Sequence, residues 1–169
     1  MNHVVYLDKD TLICLSKQIF AVAGETYDRS SDFFEENIRN YEYEAIVSLA
    51  LEALDYDDIV LINAPFTREI RDKRYIDQLK ENLKQRDAKL VVIWVETKVE
   101  VVKERMIKRN SDRDTWKLEN WEEYIAEVNF NIPVEIDDEE VLDDLLIFKN
   151  SSTEEFNESM KVCLKILEQ

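Results

Sequence analysis

Two aspartates follow the first apolar run of the chain, residues 4–7, with one residue between them. Asp8 and Asp10 can both reach one pocket only if the strand has already given way to a turn. In that geometry one carboxylate can hold a magnesium-bound water while the other takes a proton from a substrate hydroxyl. The alternative is that they cap the following helix, with Asp10 or Thr11 as the N-cap residue.

A second candidate site is a concentration of basic side chains. Residues 98–117 carry seven basic and four acidic residues, although the net charge of the whole chain is −16. Arg105 and Arg109 lie four residues apart on one face of a predicted helix, and Arg113 follows in a polar loop. Guanidinium groups arranged in this way suit phosphate oxygens, which they engage through two hydrogen bonds at once. The alternative is a solvated helix stabilised by ion pairs along its own surface.

The segments that must position these side chains alternate between strands and helices. Continuous apolar runs predict four strands, and apolar residues at helical spacing predict the helices between them. Gly24, the single glycine of the chain, predicts the end of the first helix. The predicted strands are residues 4–7, 59–64, 89–97 and 145–150, and the predicted capping pairs are Asp32 with Glu35, Thr97 with Glu100, Asn120 with Glu123 and Ser152 with Glu155.

This alternation indicates an α/β protein with a mainly parallel sheet covered by helices on both faces, which is a three-layer arrangement. In such sheets ligands bind beyond the carboxyl ends of the strands. Three polar stretches follow predicted strands: Asp8 with Asp10, residues 63–66 and residues 150–152. We expect the functional site at this edge, with the basic segment reaching it if its helix ends there.

Composition excludes several classes of protein. A net charge of −16 argues against a nucleic-acid partner, because affinity for a phosphate backbone comes largely from Lys and Arg. Neither a signal peptide nor an apolar run of membrane-spanning length is recognisable, so we expect a cytoplasmic protein without a membrane partner. The single histidine, His3, and two distant cysteines form no zinc pattern. Cys14 and Cys163 are both expected to be reduced core residues.

Six segments occur in a characteristic order: "DKDT", "EAIVSLALEAL", "VLINAPF", "VVIWVET", "RMIKRNSDRD" and "FKNSS". Their order and spacing resemble those of the P-loop small-molecule kinases, a group that includes shikimate, gluconate and zeta-toxin-like kinases. The resemblance covers nearly the whole chain. It implies one P-loop-kinase-like domain, residues 1–169, with a lid at about residues 105–120. It also implies an ATP-dependent phosphotransferase with ATP and Mg²⁺ as cofactors and a small hydroxylated molecule as substrate.

The resemblance assigns roles on the acceptor side of that reaction. Asp10 falls where zeta-like kinases place the aspartate that takes the proton of the substrate hydroxyl. Asp8 falls where the first carboxylate of the shikimate-kinase-like pair helps to organise magnesium. Glu44 and Arg68 would contact the acceptor substrate. At Asn63 the chain departs from many relatives, which carry an aspartate that holds magnesium through water.

The remaining roles concern the phosphate donor. Arg105, Arg109 and Arg113 match the helix and lid arginines that steady the transferring phosphoryl group, whose chemistry is mostly positioning and charge neutralisation. Asn150, Ser151 and Ser152 match the loop that borders the adenine, and Arg109 is also expected to contact the nucleotide.

One departure from the family is large. These kinases carry G-x-x-x-x-G-K-[ST] after their first strand, and the amides and lysine of that loop hold the β and γ phosphates. With Gly24 as its single glycine, the chain contains no such segment. Three explanations stay open: a truncated kinase, a natural relative that binds without transferring phosphate, and a phosphate site completed by another chain.

The family's first strand is central in the sheet order 2-3-1-4-5. Removing a central strand leaves two edges unpaired, and unpaired buried edges are costly. If that strand is lacking, we therefore expect the other strands to close up as 2-3-4-5, or a second protomer to fill the gap in a homodimer. Two functions remain open at this point: an ATP-dependent kinase, and a catalytically silent binding or dimerisation module on a kinase-derived scaffold.

Overall fold

The structure is a computed structural model, and it describes residues 3–111, 114–131 and 144–167. The chain divides into two compact units. The first consists of residues 1–69 and 74–89, and the second consists of residues 70–73 and 90–169. Both units contain helices and one small parallel sheet. Within the described residues no helix has the length and apolar character that crossing a membrane requires.

The first unit alternates strands and helices around one parallel pair of strands. Strand β1 is followed by a 3-10 turn, and helix α3 is preceded by a short α turn and a π turn. Its elements are β1 (Val4–Asp8), the 3-10 turn Lys9–Leu12, α1 (Ile13–Ala23), α2 (Asp32–Phe34), the π turn Glu35–Arg39, α3 (Asn40–Ala53), β2 (Ile59–Asn63) and α4 (Lys73–Lys84).

The sheet of the first unit brings the ends of β1 and β2 together. The strands pair in parallel with Val4 opposite Ile59 and Asp8 opposite Asn63. A parallel pair requires a crossover connection, which the helical segments between the strands provide. Both strands therefore end at the same edge, and this register sets the geometry of the candidate site.

Helix ends in the first unit follow local chemistry. Gly24 adopts a left-handed conformation with φ of 74°, so α1 ends where the single glycine predicts. The predicted cap at Asp32 is wrong by one residue, because Ser31 is the N-cap and its side chain accepts a hydrogen bond from the Phe34 amide. Ser31 has the extended backbone of an N-cap residue, whereas Asp32 is already the first residue of α2.

The core of the first unit is partly aromatic. Phe20 from α1 packs with Phe34 and Ile38 in a buried cluster, and Phe33 packs against it. The rings of Phe20 and Phe33 lie 5.2 Å apart between centroids. This cluster fixes α1 against the segment that leads into α3, and α3 in turn carries the charged residues discussed below.

The second unit has the same alternation on a smaller scale. Its elements are β3 (Val91–Glu96), α5 (Val99–Arg109), α6 (Thr115–Glu119), α7 (Trp121–Glu127), β4 (Asp144–Lys149) and α8 (Thr153–Leu167). Strands β3 and β4 pair in parallel, with Val91 opposite Asp144 and Glu96 opposite Lys149. Leu146, Phe148 and Cys163 form the buried cluster that joins β4 to α8.

The predicted sheet is confirmed in its strand direction and not in its extent. The described strands form two separate pairs, β1 with β2 and β3 with β4. The expected single sheet of four strands and the three-layer arrangement are therefore not confirmed. Within each unit a strand pairs with the next strand along the chain, as crossover units favour.

Two predicted capping pairs in the second unit are also wrong. The N-cap residue of α5 is Lys98, and its amide donates to Ser151 Oγ at 2.9 Å, so the Thr97 and Glu100 pair does not form. Asn120 is the N-cap residue of α7 without a side-chain hydrogen bond, because its amide group donates backwards to the Trp116 carbonyl. At α5 the competing partner is Ser151, which is distant in the chain, whereas at α7 it is the Trp116 carbonyl, four residues earlier.

Three further expectations concern the Ser152 cap, the two cysteines and the acidic loop. The Ser152 cap is confirmed, since its Oγ accepts from the Glu155 amide at 3.2 Å. Cys163 is buried as expected, whereas Cys14 is exposed because it lies on the outward face of α1, away from Ser16 and Phe20. Pro133 and the acidic run of residues 135–144 predict a surface loop, which lies almost entirely outside the described residues.

Candidate functional site

The ends of β1 and β2 form a small polar cluster around the Asp8 carboxylate. Asn63 Nδ2 donates to Asp8 Oδ2 at 3.1 Å, as the strand register requires. The Tyr6 hydroxyl donates to the same oxygen at 3.1 Å, and the Asp10 amide donates to Oδ1 at 2.9 Å. The cluster therefore joins the two strand ends to the first turn after β1.

These donors determine the charge state of Asp8. The hydrogen bond from the Asp10 amide, followed by the bond from Asn63, lowers the pKa of Asp8 below its usual value. Asp8 is consequently a carboxylate with three donors directed at it. Three donors occupy most of the roughly four acceptor positions of a carboxylate, so little capacity is left for a cation.

Asp10 is presented by the 3-10 turn Lys9–Leu12. Asp8 is the N-cap residue of that turn, through its bond to the Asp10 amide, and Asp10 itself is exposed. The chain thus breaks into a turn directly after the strand, as the two-carboxylate interpretation required. The capping alternative is confirmed only in that Asp8 caps the 3-10 turn, because the N-cap residue of α1 is Leu12, not Asp10 or Thr11, and it makes no side-chain cap bond.

A buried ionic network anchors the 3-10 turn to the rest of the first unit. Lys9 Nζ lies 2.8 Å from Glu42 Oε2, and the two side chains are 5% and 4% exposed. Arg29 donates to both Glu42 oxygens at 2.7 Å, and Ser16 Oγ donates to Oε1 at 2.5 Å. One carboxylate on α3 therefore binds the 3-10 turn, α1 and the segment before α2.

The pKa of Glu42 reflects these partners. Burial alone would raise it, but the hydrogen bonds from Arg29, Lys9 and Ser16 outweigh burial and lower the pKa to about 2. Lys9 also lies 5.3 Å from the Tyr43 ring centroid, and Arg29 lies 4.5 Å from that of Phe34. The cations are held on aromatic faces as well as by the carboxylate.

The resemblance to the kinases implies that Glu44 contacts the substrate. Glu44 lies two residues beyond Glu42, the carboxylate that forms the network. Glu44 is exposed, whereas Glu42 is buried in a row with Ile38 and Ile46, which are 1% and 2% exposed. Ile38, Glu42 and Ile46 are spaced four residues apart. An acidic residue within an apolar helical row was the signal that could have identified Glu42.

A second ionic group lies beside the segment that follows β2. Arg39 donates to Glu69 Oε1 at 2.7 Å, and both side chains are 10% exposed. The Tyr43 hydroxyl donates to the Pro65 carbonyl at 2.9 Å, and burial raises the pKa of Tyr43 to about 12. Arg68, which is predicted to contact the substrate, forms an ion pair with Glu35. Both of these side chains are much more exposed than those of Arg39 and Glu69.

The predicted phosphate-binding arginines belong to the second unit. Arg105 is exposed on α5. Arg109 donates from Nε to Asp114 Oδ2 at 2.8 Å, and the Asp114 side chain is 1% exposed. Arg113 lies outside the described residues. Arg109 is therefore part of an ion pair that joins the end of α5 to the start of α6.

The predicted adenine-binding loop makes structural hydrogen bonds. The Asn150 amide donates to the Glu96 carbonyl at 2.8 Å. Ser151 Oγ accepts from the Lys98 amide, and the Ser151 amide donates to Glu155 Oε2 at 2.7 Å. Together with the Ser152 cap, these bonds hold β3 and β4 to the starts of α5 and α8.

The residues that the structure describes contain no group of three or more acidic, histidine or cysteine side chains able to hold a metal ion. Asp8, the predicted magnesium ligand, is surrounded by donors rather than by further carboxylates. An aspartate at position 63 would have supplied a second carboxylate, but the amide of Asn63 donates instead. The implied magnesium site does not fit the described residues.

Comparison of the chain with protein-family models, with curated proteins and with solved structures finds no match. The resemblance to the P-loop kinases therefore rests on the motifs and their order alone.

Proposed function

We propose that the chain is an ATP-dependent phosphotransferase that acts on a small hydroxylated molecule, with Asp10 as the proton acceptor. The observation that carries this proposal is the turn at the end of β1. Asp8 caps that turn through the Asp10 amide, so the Asp10 carboxylate is exposed at the carboxyl end of a parallel strand. Ligands of α/β proteins bind at this edge.

In the proposed reaction the substrate hydroxyl attacks the terminal phosphorus of ATP. A bond forms between the hydroxyl oxygen and phosphorus, the bond from phosphorus to the bridging oxygen breaks, and ADP leaves. Asp10 takes the hydroxyl proton as a general base. Asp8, held ionised by its donors, keeps the turn in place and so acts as a positioning residue.

The buried network supports this assignment because it anchors the residue that precedes Asp10. Lys9 immediately precedes Asp10, and its ammonium group is fixed by Glu42 at 2.8 Å. A general base contributes to the rate only when it is held in the reacting geometry. Burying two charged side chains costs desolvation free energy. The positioning of Asp10 is a functional reason for a chain to carry that cost.

The experiment that tests the proposal is a transfer assay on the whole chain. ATP with Mg²⁺ is incubated with a panel of sugars, nucleosides and amino alcohols, and new phosphate esters are detected by phosphorus NMR. Asp10→Asn is expected to lower the rate by about a hundredfold or more, without changing the melting temperature. Asp58→Asn, at another exposed aspartate of the same unit, is the matched control and should retain the rate.

A second candidate function is a binding module without catalysis. Two observations favour it: no glycine-rich phosphate loop occurs in the sequence, and Asp8, Arg109 and Ser151 are all engaged by other groups of the chain. The two proposals differ in what they expect of ATP. A folded chain that binds no ATP and transfers no phosphate would favour the binding module.

A further inference from the structure

A groove with a volume of about 400 Å³ lies between α5 and α7 of the second unit. Val99 and Ile107 from α5 and Trp121 from α7 form its apolar surface. Ile107 is 58% exposed, which is high for an isoleucine. The volume falls within the range of ligand-binding clefts, which is about 300–1,000 Å³.

Carboxylates border this apolar surface on both sides. Glu100 and Glu104 lie four residues apart along α5, and Glu122 lies at the start of α7. All three are exposed. The single basic residue of the lining is Lys103, so the lining carries three negative charges against one positive charge.

The contact between Lys103 and Trp121 indicates that the aromatic face of the groove can bind a cation. Its ammonium nitrogen lies 4.9 Å from the centroid of the Trp121 ring, which is a cation–π contact. The aromatic face of the groove therefore already holds a cation supplied by the chain. A cation from a partner can take the same face if the flexible Lys103 side chain swings away from it, and the neighbouring charges of the partner then meet the carboxylates.

The end of α5, which forms one side of the groove, is joined to the start of α6 without a ligand. Arg109 and Asp114 join the end of α5 to the start of α6 through an ion pair with one partner fully buried. Met106, one turn earlier, is 8% exposed. A groove that is formed in advance loses less conformational entropy on binding, so it can bind a short segment.

We propose that this groove docks an amphipathic peptide segment of a partner protein that carries lysine or arginine beside apolar residues. Residues Val99, Lys103 and Ile107 form one row along α5, and Glu100 and Glu104 form the adjacent row. A helical or extended segment laid along α5 meets an apolar row and an acidic row in parallel, which is the pattern of helix-in-groove recognition.

Charge favours this occupant over other macromolecules. The lining of the groove, with three carboxylates and one ammonium group, disfavours nucleic acid and anionic lipid at the groove itself, although α5 also carries Arg105, Lys108 and Arg109 outside the lining. A second copy of this chain is disfavoured as well, because its net charge of −16 produces strong mutual repulsion. A basic partner is attracted both by the groove and by the overall field of the protein.

The test measures binding of a fluorescein-labelled peptide of leucine and lysine at helical spacing to the whole chain, by fluorescence anisotropy. The groove variant is Glu100→Gln, Glu104→Gln and Glu122→Gln combined. The matched control removes three exposed carboxylates of the first unit, Glu25→Gln, Glu36→Gln and Glu52→Gln, and so changes the net charge equally. The groove variant should weaken binding about tenfold and the control about twofold or less.

Trp121→Ala tests the apolar part and should also weaken binding about tenfold, while the circular dichroism spectrum stays unchanged. Equal weakening by the two triple variants would overturn the proposal, because general charge attraction would then explain binding. Competition by spermidine at concentrations that match the peptide would overturn it too, since the groove would then select small polycations. Absence of peptide binding would do the same.

Discussion

The Glu42 carboxylate and the Lys9 ammonium group form an ion pair of 2.8 Å in which both side chains are at least 95% buried. Replacing Glu42 by Gln leaves Lys9 and Arg29 without their negative partner. Because an unpaired buried charge is strongly destabilising, we expect the free energy of unfolding to fall by about 3 kcal/mol. Urea denaturation followed by circular dichroism measures this change.

Glu44→Gln is the control for that prediction, because it makes the same substitution two residues along α3 at an exposed position. Its effect should be within about 0.5 kcal/mol. Equal effects of the two substitutions would show that the network does not stabilise the fold.

The lowered pKa of Glu42 predicts a pH window for stability. A carboxyl group with a folded-state pKa of about 2 and an ordinary value of 4.5 binds fewer protons in the folded state than in the unfolded state. Its stabilising contribution is present above pH 4.5 and is lost as the pH falls from 4.5 towards 2. The difference in unfolding free energy between wild type and Glu42→Gln should shrink over this window. A difference independent of pH would contradict the assignment.

Asp8 provides a test of the strand-end cluster. Its pKa is lowered first by the Asp10 amide, then by Asn63, and less by Tyr6. Asn63→Ala should therefore raise the pKa of Asp8 more than Tyr6→Phe does. NMR titration of the carboxyl carbon measures both shifts, and the reverse order would contradict the hydrogen bond from Asn63 to Asp8.

The ion pair between Arg109 and Asp114 predicts a structural role in the absence of nucleotide. Asp114→Asn removes the charge of a carboxylate that is 1% exposed, so we expect a loss of about 2 kcal/mol in unfolding free energy. Glu119→Gln, at an exposed position of α6, is the control and should have little effect. An unchanged stability for Asp114→Asn would contradict this role.

Much of the fold could be predicted from the alternation of strand and helix patterns. The end of α1 at Gly24 and the turn after β1 follow from local chemistry, which a sequence displays directly. The identity of the N-cap of α5 does not, because the Lys98 amide binds Ser151, which is 53 residues away in the chain. Contacts of this kind depend on which strands pair, and sequence pattern leaves strand pairing open.

The candidate site could be predicted only in part, because some of its contacts also depend on how distant segments pack together. Asp8 and Asp10 were found because they follow an apolar strand. The contact between the same turn and Glu42 is not predictable in this way, because it depends on the packing of α3 against α1 and the 3-10 turn. The apolar row of Ile38 and Ile46 with Glu42 between them was the one indication in the sequence that Glu42 is buried. Arg109 was assigned to phosphate from its spacing, while the structure gives it a partner, Asp114, in its own unit.

The most direct test of the phosphotransferase proposal is calorimetric titration of the folded chain with ATP in the presence of Mg²⁺. The proposal predicts saturable binding to one site, with Asp10→Asn binding ATP as the wild type does, because Asp10 acts on the acceptor hydroxyl. No saturable heat from a chain that circular dichroism shows to be folded would contradict the proposal and favour a binding module.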